Sequence, residues 1–134
     1  MEEKKIPTVP VILDSPLSRK ANKIFNECLQ EKFVHEEIFQ NKNIFPDSLT
    51  EIETTEESKN ITTTEGPMII ISASGMIEGG RVVHHIKSRI TDKRNGVVLV
   101  GFQPNGTKGR LLLDGLKILR LHKEELPVNA SIFF

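Results

Sequence analysis

Between Pro67 and Arg110, the small residues Ser72, Ser74, Gly75, Gly79 and Gly80 follow an apolar run, Met68 to Ile71, and precede a helical pattern opening at Arg81. Such a junction leaves backbone N–H groups pointing outward where a helix begins, and the helix dipole makes that place mildly positive. The chemistry on offer is anion binding, by a cradle of N–H groups and hydroxyls from Ser72, Ser74 and Gly75. A second turn of this kind, Gly101-Phe102-Gln103-Pro104-Asn105-Gly106-Thr107, follows the apolar run Val97 to Val100. Gly106 and Thr107, with Arg110 just beyond, would serve a second phosphate, because the guanidinium fork matches phosphate oxygens. Arg81 begins its helix at the end where the dipole disfavours a cation, so it is expected to answer to a ligand anion or a nearby carboxylate. Two adjacent strands would deliver both turns to one sheet edge. The anion that calls for two such turns is a phosphodiester backbone.

Each feature also has a plainer reading. The glycines of the first turn serve tight strand-to-helix packing equally well, and Thr107 and Arg110 read as a helix cap and a surface cation. Neither turn is G-x-G-x-x-G, and no Gly-Lys-Ser/Thr follows, so nucleotide cofactor binding has little support. His84 and His85 invite a metal reading, but neighbours on a helix point about 100° apart and cannot chelate one ion together. His35 and His122 lie far off in sequence, and zinc wants three or four placed ligands. One histidine of the pair is expected to pack and the other to face solvent. Asp14, after a strand, has no neighbouring acid or His to complete a catalytic pair and reads as a helix cap. The single cysteine, Cys28, excludes an intramolecular disulfide, suits a reducing compartment and reads as a small buried hydrophobe.

The elements that must position these residues follow from periodicity. Val9 to Leu13 reads as a buried parallel strand, and Leu17, Ala21, Ile24, Phe25, Cys28 and Leu29 have helical spacing up to about Lys32. Val34 to Gln40 reads as a further short helix. Residues 41–66, rich in Asn, Thr, Glu and Ser, read as a loop-rich insertion with a short strand or helical turn around Ile52. Beyond Pro67 the spacing predicts a strand Met68–Ser72, a helix from Gly80 to about Thr91, a strand Val97–Phe102 and a short helix Lys108–Leu113. Edge-type strands follow near Lys117–Leu121 and Val128–Phe133. Strands separated by helices imply right-handed crossovers and a mostly parallel sheet. No internal repeat, low-complexity tract, signal peptide or membrane span is visible, so a soluble cytoplasmic domain is expected.

Ser74-Gly75-Met76, Gly79-Gly80-Arg81, His84-His85, Asp92-Lys93-Arg94-Asn95, Gly101-Phe102-Gln103 and Gly106-Thr107, in that order, resemble the β-CASP region of the RNA-processing metallo-β-lactamase family. That family includes the endonuclease subunit of the cleavage and polyadenylation machinery and its bacterial and archaeal relatives. Asp14-Ser15-Pro16-Leu17 and the Thr54-to-Ile61 segment, with Glu56, Glu57 and Ser58, are similar too, and the likeness runs roughly from Ile6 to Ile132. It implies a single partial β-CASP domain over residues 1–134 with a Rossmann-like three-layer α/β fold and a mostly parallel sheet. In the family this module closes over a lactamase-like half, and single-stranded RNA threads the cleft towards a two-zinc centre. No His-x-His-x-Asp-His occurs here. The family's acidic β-CASP motif is expected before Met1 and a Ser-Ala-His-Ala-Asp-like stretch after Phe134. The resemblance therefore places no catalytic residue, metal ligand or cofactor in this chain; zinc belongs to the complete family enzyme. It departs from the family at Phe102, usually Tyr, and Lys108, usually apolar.

The implied function is the RNA-binding clamp of a ribonuclease, with Ser74, Gly75, Arg81, Gly106, Thr107 and Arg110 on the sugar-phosphate backbone and hydrolysis supplied by a lactamase-like half. The alternatives are a stand-alone non-catalytic RNA-binding module and a nucleotide-binding or protein-interaction domain of similar topology. Composition bears on the mode of binding. With no Trp or Tyr and only seven Phe, base stacking on aromatic platforms is not the expected mode. Net charge is zero, yet residues 1–67 hold eight Lys/Arg against thirteen Asp/Glu, a net of −5, and residues 68–123 hold ten against three, a net of +7. That asymmetry predicts a localised basic face, the plainer reading being solvated helix surfaces. The apolar end, Ile132-Phe133-Phe134, points to an apolar face awaiting cover.

Overall fold

Val11–Asp14 (β1) is buried at all four positions, as the apolar run Val11–Leu13 requires of a strand covered on both faces. In the computed structural model, which describes residues 6–31 and 45–134, β1 is the central strand of a three-stranded sheet. It pairs in parallel with β2 (Leu49–Glu51), Val11 opposite Leu49 and Leu13 opposite Glu51. Its other neighbour is β3 (Ile69–Ser72), and the Ile69 N–H donates to Pro10 O at 2.9 Å. Helix α1 (Pro16–Gln30) starts directly after β1. Ser15, not Asp14, is its cap, and the Ser15 hydroxyl accepts the Ser18 N–H at 3.2 Å. Pro16 takes a first-turn position that needs no donor. Asp14 ends the strand, fully buried. On α1, Asn22 donates to Glu51 at 2.8 Å, and Arg19 pairs with Glu51 and Glu53.

The segment read as loop carries a helix, α2 (Thr55–Thr63), besides β2. Its first turn holds Glu56 and Glu57, and Ser58 is its buried residue. Acids in that place favour a helix N-terminus. The predicted helix over Val34–Gln40 lies outside the described residues.

The described residues divide into two compact units, one running up to Thr55 with Glu65–Ile71, the other comprising Glu56–Thr64 with Ser72–Phe134. The second unit owns a continuous apolar core: Ile77, Val83, Ile86, Ile90, Leu99, Leu112, Leu119, Leu121 and Ala130. Helix α3 (Arg81–Arg89) contributes Val83 and Ile86, three residues apart on one face. The strand expected over Val97–Phe102 is shorter, β4 (Gly96–Val98), and pairs in parallel with β7 (Ser131–Phe133), Val97 opposite Ile132. Helix α4 covers Lys108–Leu113, as the spacing predicts. The edge region is a hairpin of β5 (Ile118–Leu121) and β6 (Glu124–Pro127), turned by His122 and Lys123, both at positive φ, as a two-residue hairpin loop prefers. Pairing is thus mostly parallel but spread over three sheets among the described residues, with β5–β6 antiparallel. Val98, Val100, Phe102, Phe133 and Phe134 are exposed, and Ile132 is half-buried. No described helix is long and apolar enough to cross a membrane.

Candidate functional site

The two glycine-rich turns meet inside the second unit. They do not meet as ends of neighbouring strands in one sheet, since β3 pairs with β1 and β4 with β7. The turns themselves are joined. Met76 O accepts the Gly109 N–H at 3.1 Å, and the Glu78 carboxylate accepts both the Lys108 N–H and the Lys108 ammonium, each at 2.8 Å. A Cβ on Gly75 would lie 3.6 Å from Val100 O, and one on Gly109 would lie 3.4 Å from Gly75 O. Glycine at these positions lets the two backbones approach.

The first turn is fixed from within as well. Ser74 O accepts the Ile77 N–H at 3.0 Å and Ala73 O accepts the Val82 N–H at 3.3 Å, tying the turn to the start of α3. Ile77 stands at φ 61°, an uncommon conformation for a β-branched residue. At 1% exposure its side chain anchors the turn in the core, and that packing holds the backbone there. Gly80, at φ 79°, precedes α3 without a side-chain cap.

In the second turn Gly101 and Gly106 take positive φ, which this chain reversal needs. The Thr107 hydroxyl donates to Pro104 O at 2.8 Å and accepts the Arg110 N–H at 3.3 Å. It thereby caps α4. Gln103 is 4% exposed; its amide N–H donates to Gly101 O at 3.2 Å, and its Oε1 has no hydrogen-bond partner among the described residues. That oxygen fills the space beside Gly109, where an added Cβ would overlap it.

Of the six residues singled out, Ser74, Gly75 and Gly106 are exposed on these turns. Arg81 is half-buried as the first residue of α3, next to Gly80, whose Cβ would stand 3.9 Å from Ser74 N. Thr107 has both hydroxyl functions engaged in the cap. Arg110 pairs with Asp114 at 3.0 Å, one helical turn on. Other cations of the +7 segment are likewise matched: Lys87 to Glu124 at 2.6 Å, Arg94 to Asp92 at 2.6 Å, and Arg89 to the backbone oxygens of Ile61 and Thr64 near the end of α2. The acids paired with Arg94, Lys108 and Arg110 are already subtracted in the +7, so of these pairs only Lys87 with Glu124 lowers it, to +6, and the segment stays basic. Lys108, by its side-chain hydrogen bond first and its N–H second, holds the Glu78 carboxyl below its usual range, since both bonds favour the charged form. Burial lowers the pKa of the Arg89 guanidinium.

His85 is buried on α3, whereas His84 is exposed and stacks on His122, ring centroids 5.6 Å apart and planes 16° off parallel. This is the division expected for adjacent helical positions. One imidazole is turned into the core and the other is stacked on the hairpin, so the pair does not fit zinc. No group of three or more candidate ligands stands together among the described residues.

Sequence reasoning missed Glu78 and Gly109, which carry the junction. Gly109 leaves one signal: a glycine inside a short helix costs about 1 kcal/mol against alanine and therefore hints at a close approach. Glu78 leaves none, since its partner lies thirty residues on.

Comparison with known proteins adds to this geometry. Residues 1–112 match the Beta-Casp domain family. The chain is 35% identical over 131 residues to ribonuclease TTHA0252 of Thermus thermophilus, covering 96% of this chain and 30% of that protein. It is 34% identical over 86 residues to the transcription termination factor FttA of Methanococcus maripaludis, covering 60% of this chain and 14% of that protein. An RNase J-like protein of Methanocaldococcus jannaschii is 38% identical over 66 residues, covering 49% of this chain and 15% of that protein. The chain thus spans less than a third of the length of these relatives.

Proposed function

The chain belongs to the Beta-Casp domain family, and from that premise we propose that it is the RNA-binding clamp of an RNA-processing ribonuclease. The observation that carries the reading is the junction of the two turns in the second unit, which sets Gly75 and Met76 beside the start of α4. Exposed backbone N–H groups and hydroxyls of the first turn, with Gly106, Arg81 and Arg110 of the flanking segments, take successive sugar-phosphate oxygens, while Thr107, whose N–H and hydroxyl both donate to Pro104 O, shapes the second turn instead. Such contacts position a strand without reading its sequence. A Rossmann-like three-layer arrangement in the cytoplasm is the setting we assign to it. Water attack on the phosphodiester belongs to a lactamase-like half with its zinc pair, in the same polypeptide or on a partner chain, and no step of that chemistry falls to residues of this chain. The relatives, a ribonuclease and an RNase J-like protein among them, support RNA as the substrate.

Fluorescence anisotropy of a labelled single-stranded RNA against the full chain, with zinc present and salt varied, tests this. Affinity falling steeply with salt, with the RNA intact on a gel afterwards, is the expected result. Cleaved RNA would place a hydrolytic centre in this chain. Tight binding of a mononucleotide without preference for a longer strand would favour a nucleotide-binding module instead, and no RNA binding would refute the clamp.

A further inference from the structure

Glu78 is an acid at the centre of a junction otherwise suited to anions, and its carboxylate spans the Lys108 N–H and the Lys108 ammonium. Resting on the clamp reading, we propose that Glu78 is an internal stand-in for a phosphate and that Lys108 is a further RNA-binding cation, released when a backbone phosphate takes the carboxylate's place. Three observations carry this. The pair is monodentate at the ammonium, one 2.8 Å contact to Glu78 Oε2, and an ammonium accepts phosphate as readily as carboxylate. It is open to solvent, with the Glu78 side chain 47% and the Lys108 side chain 29% exposed. A ligand can therefore reach it, and breaking so exposed a pair costs little. Lys108 also sits between Thr107 and Gly109, where the second turn meets the first. One negative charge replaces another on Lys108, and the displaced carboxylate returns to water, so no buried charge is created.

The exchange gives the clamp a regulated grip. Without RNA the ion pair fastens the turns together and shields the cation from unspecific anions. With RNA the cation transfers to the strand, while the Gly109–Met76 backbone bond keeps the turns joined.

The full chain and its variants, titrated with the same labelled RNA over a salt series, test the exchange. Glu78→Gln, which removes the competing charge and keeps the shape, is expected to tighten binding about two- to five-fold, the range for an exposed ion pair. Lys108→Leu should weaken binding and lower the slope of log affinity against log salt by about 0.7, one phosphate contact on a single strand, whereas Lys108→Arg keeps the slope. In the Lys108→Leu background, Glu78→Gln should no longer tighten binding. Weakening by both Glu78→Gln and Lys108→Leu, or an unchanged slope in Lys108→Leu, would overturn the proposal and leave the pair a structural fastener, with the clamp reading intact. A wild-type chain that binds no RNA sinks both. Thermal unfolding of each variant separates lost contacts from lost structure.

Discussion

Helices α1 and α3 invert the usual relation between sequence signal and burial. Helix α1 has fifteen residues, a serine cap, a proline in its first turn and apolar residues at helical spacing, yet none of its residues is buried, and Leu17 and Ile24 are 76% and 61% exposed. Helix α3 has nine residues and no side-chain cap, yet it buries Val83, His85 and Ile86 and leads into Ile90, which is fully buried. The difference teaches that a cap and periodicity announce a helix such as α1, whereas burial, and for α3 the helix itself, depends on what the rest of the chain brings to it. For α3 the chain brings a great deal: the Asn129 and Ala130 N–H groups both donate to Ile90 O at 3.0 Å, and Asn95 donates to Arg89 O at 2.9 Å. Its last turn is closed by residues distant in sequence, so its stability is tertiary in origin.

The contrast breaks most directly by truncating one residue on each side of it. Ile90→Ala is expected to cost about 3 kcal/mol in a denaturant titration, because it removes buried methylenes and leaves a cavity in a close-packed core. Leu17→Ala should change stability by no more than about 0.5 kcal/mol. A cost at Leu17 approaching that at Ile90 would mean the outer face of α1 is covered in solution, and the distinction between the helices would fall.

A smaller effect sharpens the same lesson at the junction of the turns. Gly109→Ala improves helix propensity in α4 by about 1 kcal/mol. Its methyl, however, would overlap Gln103 Oε1 and crowd Gln103 Cδ, so the buried Gln103 side chain would have to move. Overpacking costs about 1–3 kcal/mol, so the overlap should win with a net loss of about 1 kcal/mol. Adding Gln103→Ala should recover part of that loss, a coupling that a double-mutant cycle detects. Additive losses would show that the two residues do not share that space.

Much of the fold was legible for the reason that separates α1 from α3. The Met68–Ile71 and Val9–Leu13 runs, the Ser15-Pro16 start and the Lys108–Leu113 helix are local signals, and each element stands within two residues of where periodicity puts it. The α2 helix was hidden because Thr, Asn and Ser are poor helix formers. It is held partly by Arg89, whose guanidinium meets the backbone oxygens of Ile61 and Thr64 from twenty-five or more residues away. Charge shows the same limit. The +7 of residues 68–123 is a count, but which cations meet an acid, Lys87 with Glu124 or Lys108 with Glu78, takes a fold to arrange. The candidate turns were visible as glycine, serine and threonine in sequence, whereas the residues that lock them together were visible only as ordinary letters.

The smallest expected effect concerns Asp92, where a signal is both local and legible. It opens the Asp92–Asn95 turn after α3, and its carboxylate accepts the Arg94 N–H at 2.9 Å and the Arg94 guanidinium at 2.6 Å. Those bonds, the side-chain one first, lower its pKa from 3.8 to about 2, because they favour the charged form. A depressed carboxyl pKa contributes stability that is present above the unfolded value and lost as pH falls, here from 3.8 down to about 2. The group lies at the surface, so salt should shrink the contribution, unlike anything expected for Ile90. Unfolding midpoints measured from about pH 5 to about pH 2 should therefore decline less steeply for Asp92→Asn than for the wild type, and the gap should narrow at high salt. Parallel curves at every salt concentration would leave the Asp92 turn energetically silent despite its clear sequence signal and make Glu78, whose carboxyl is also held below its usual range, the next to test.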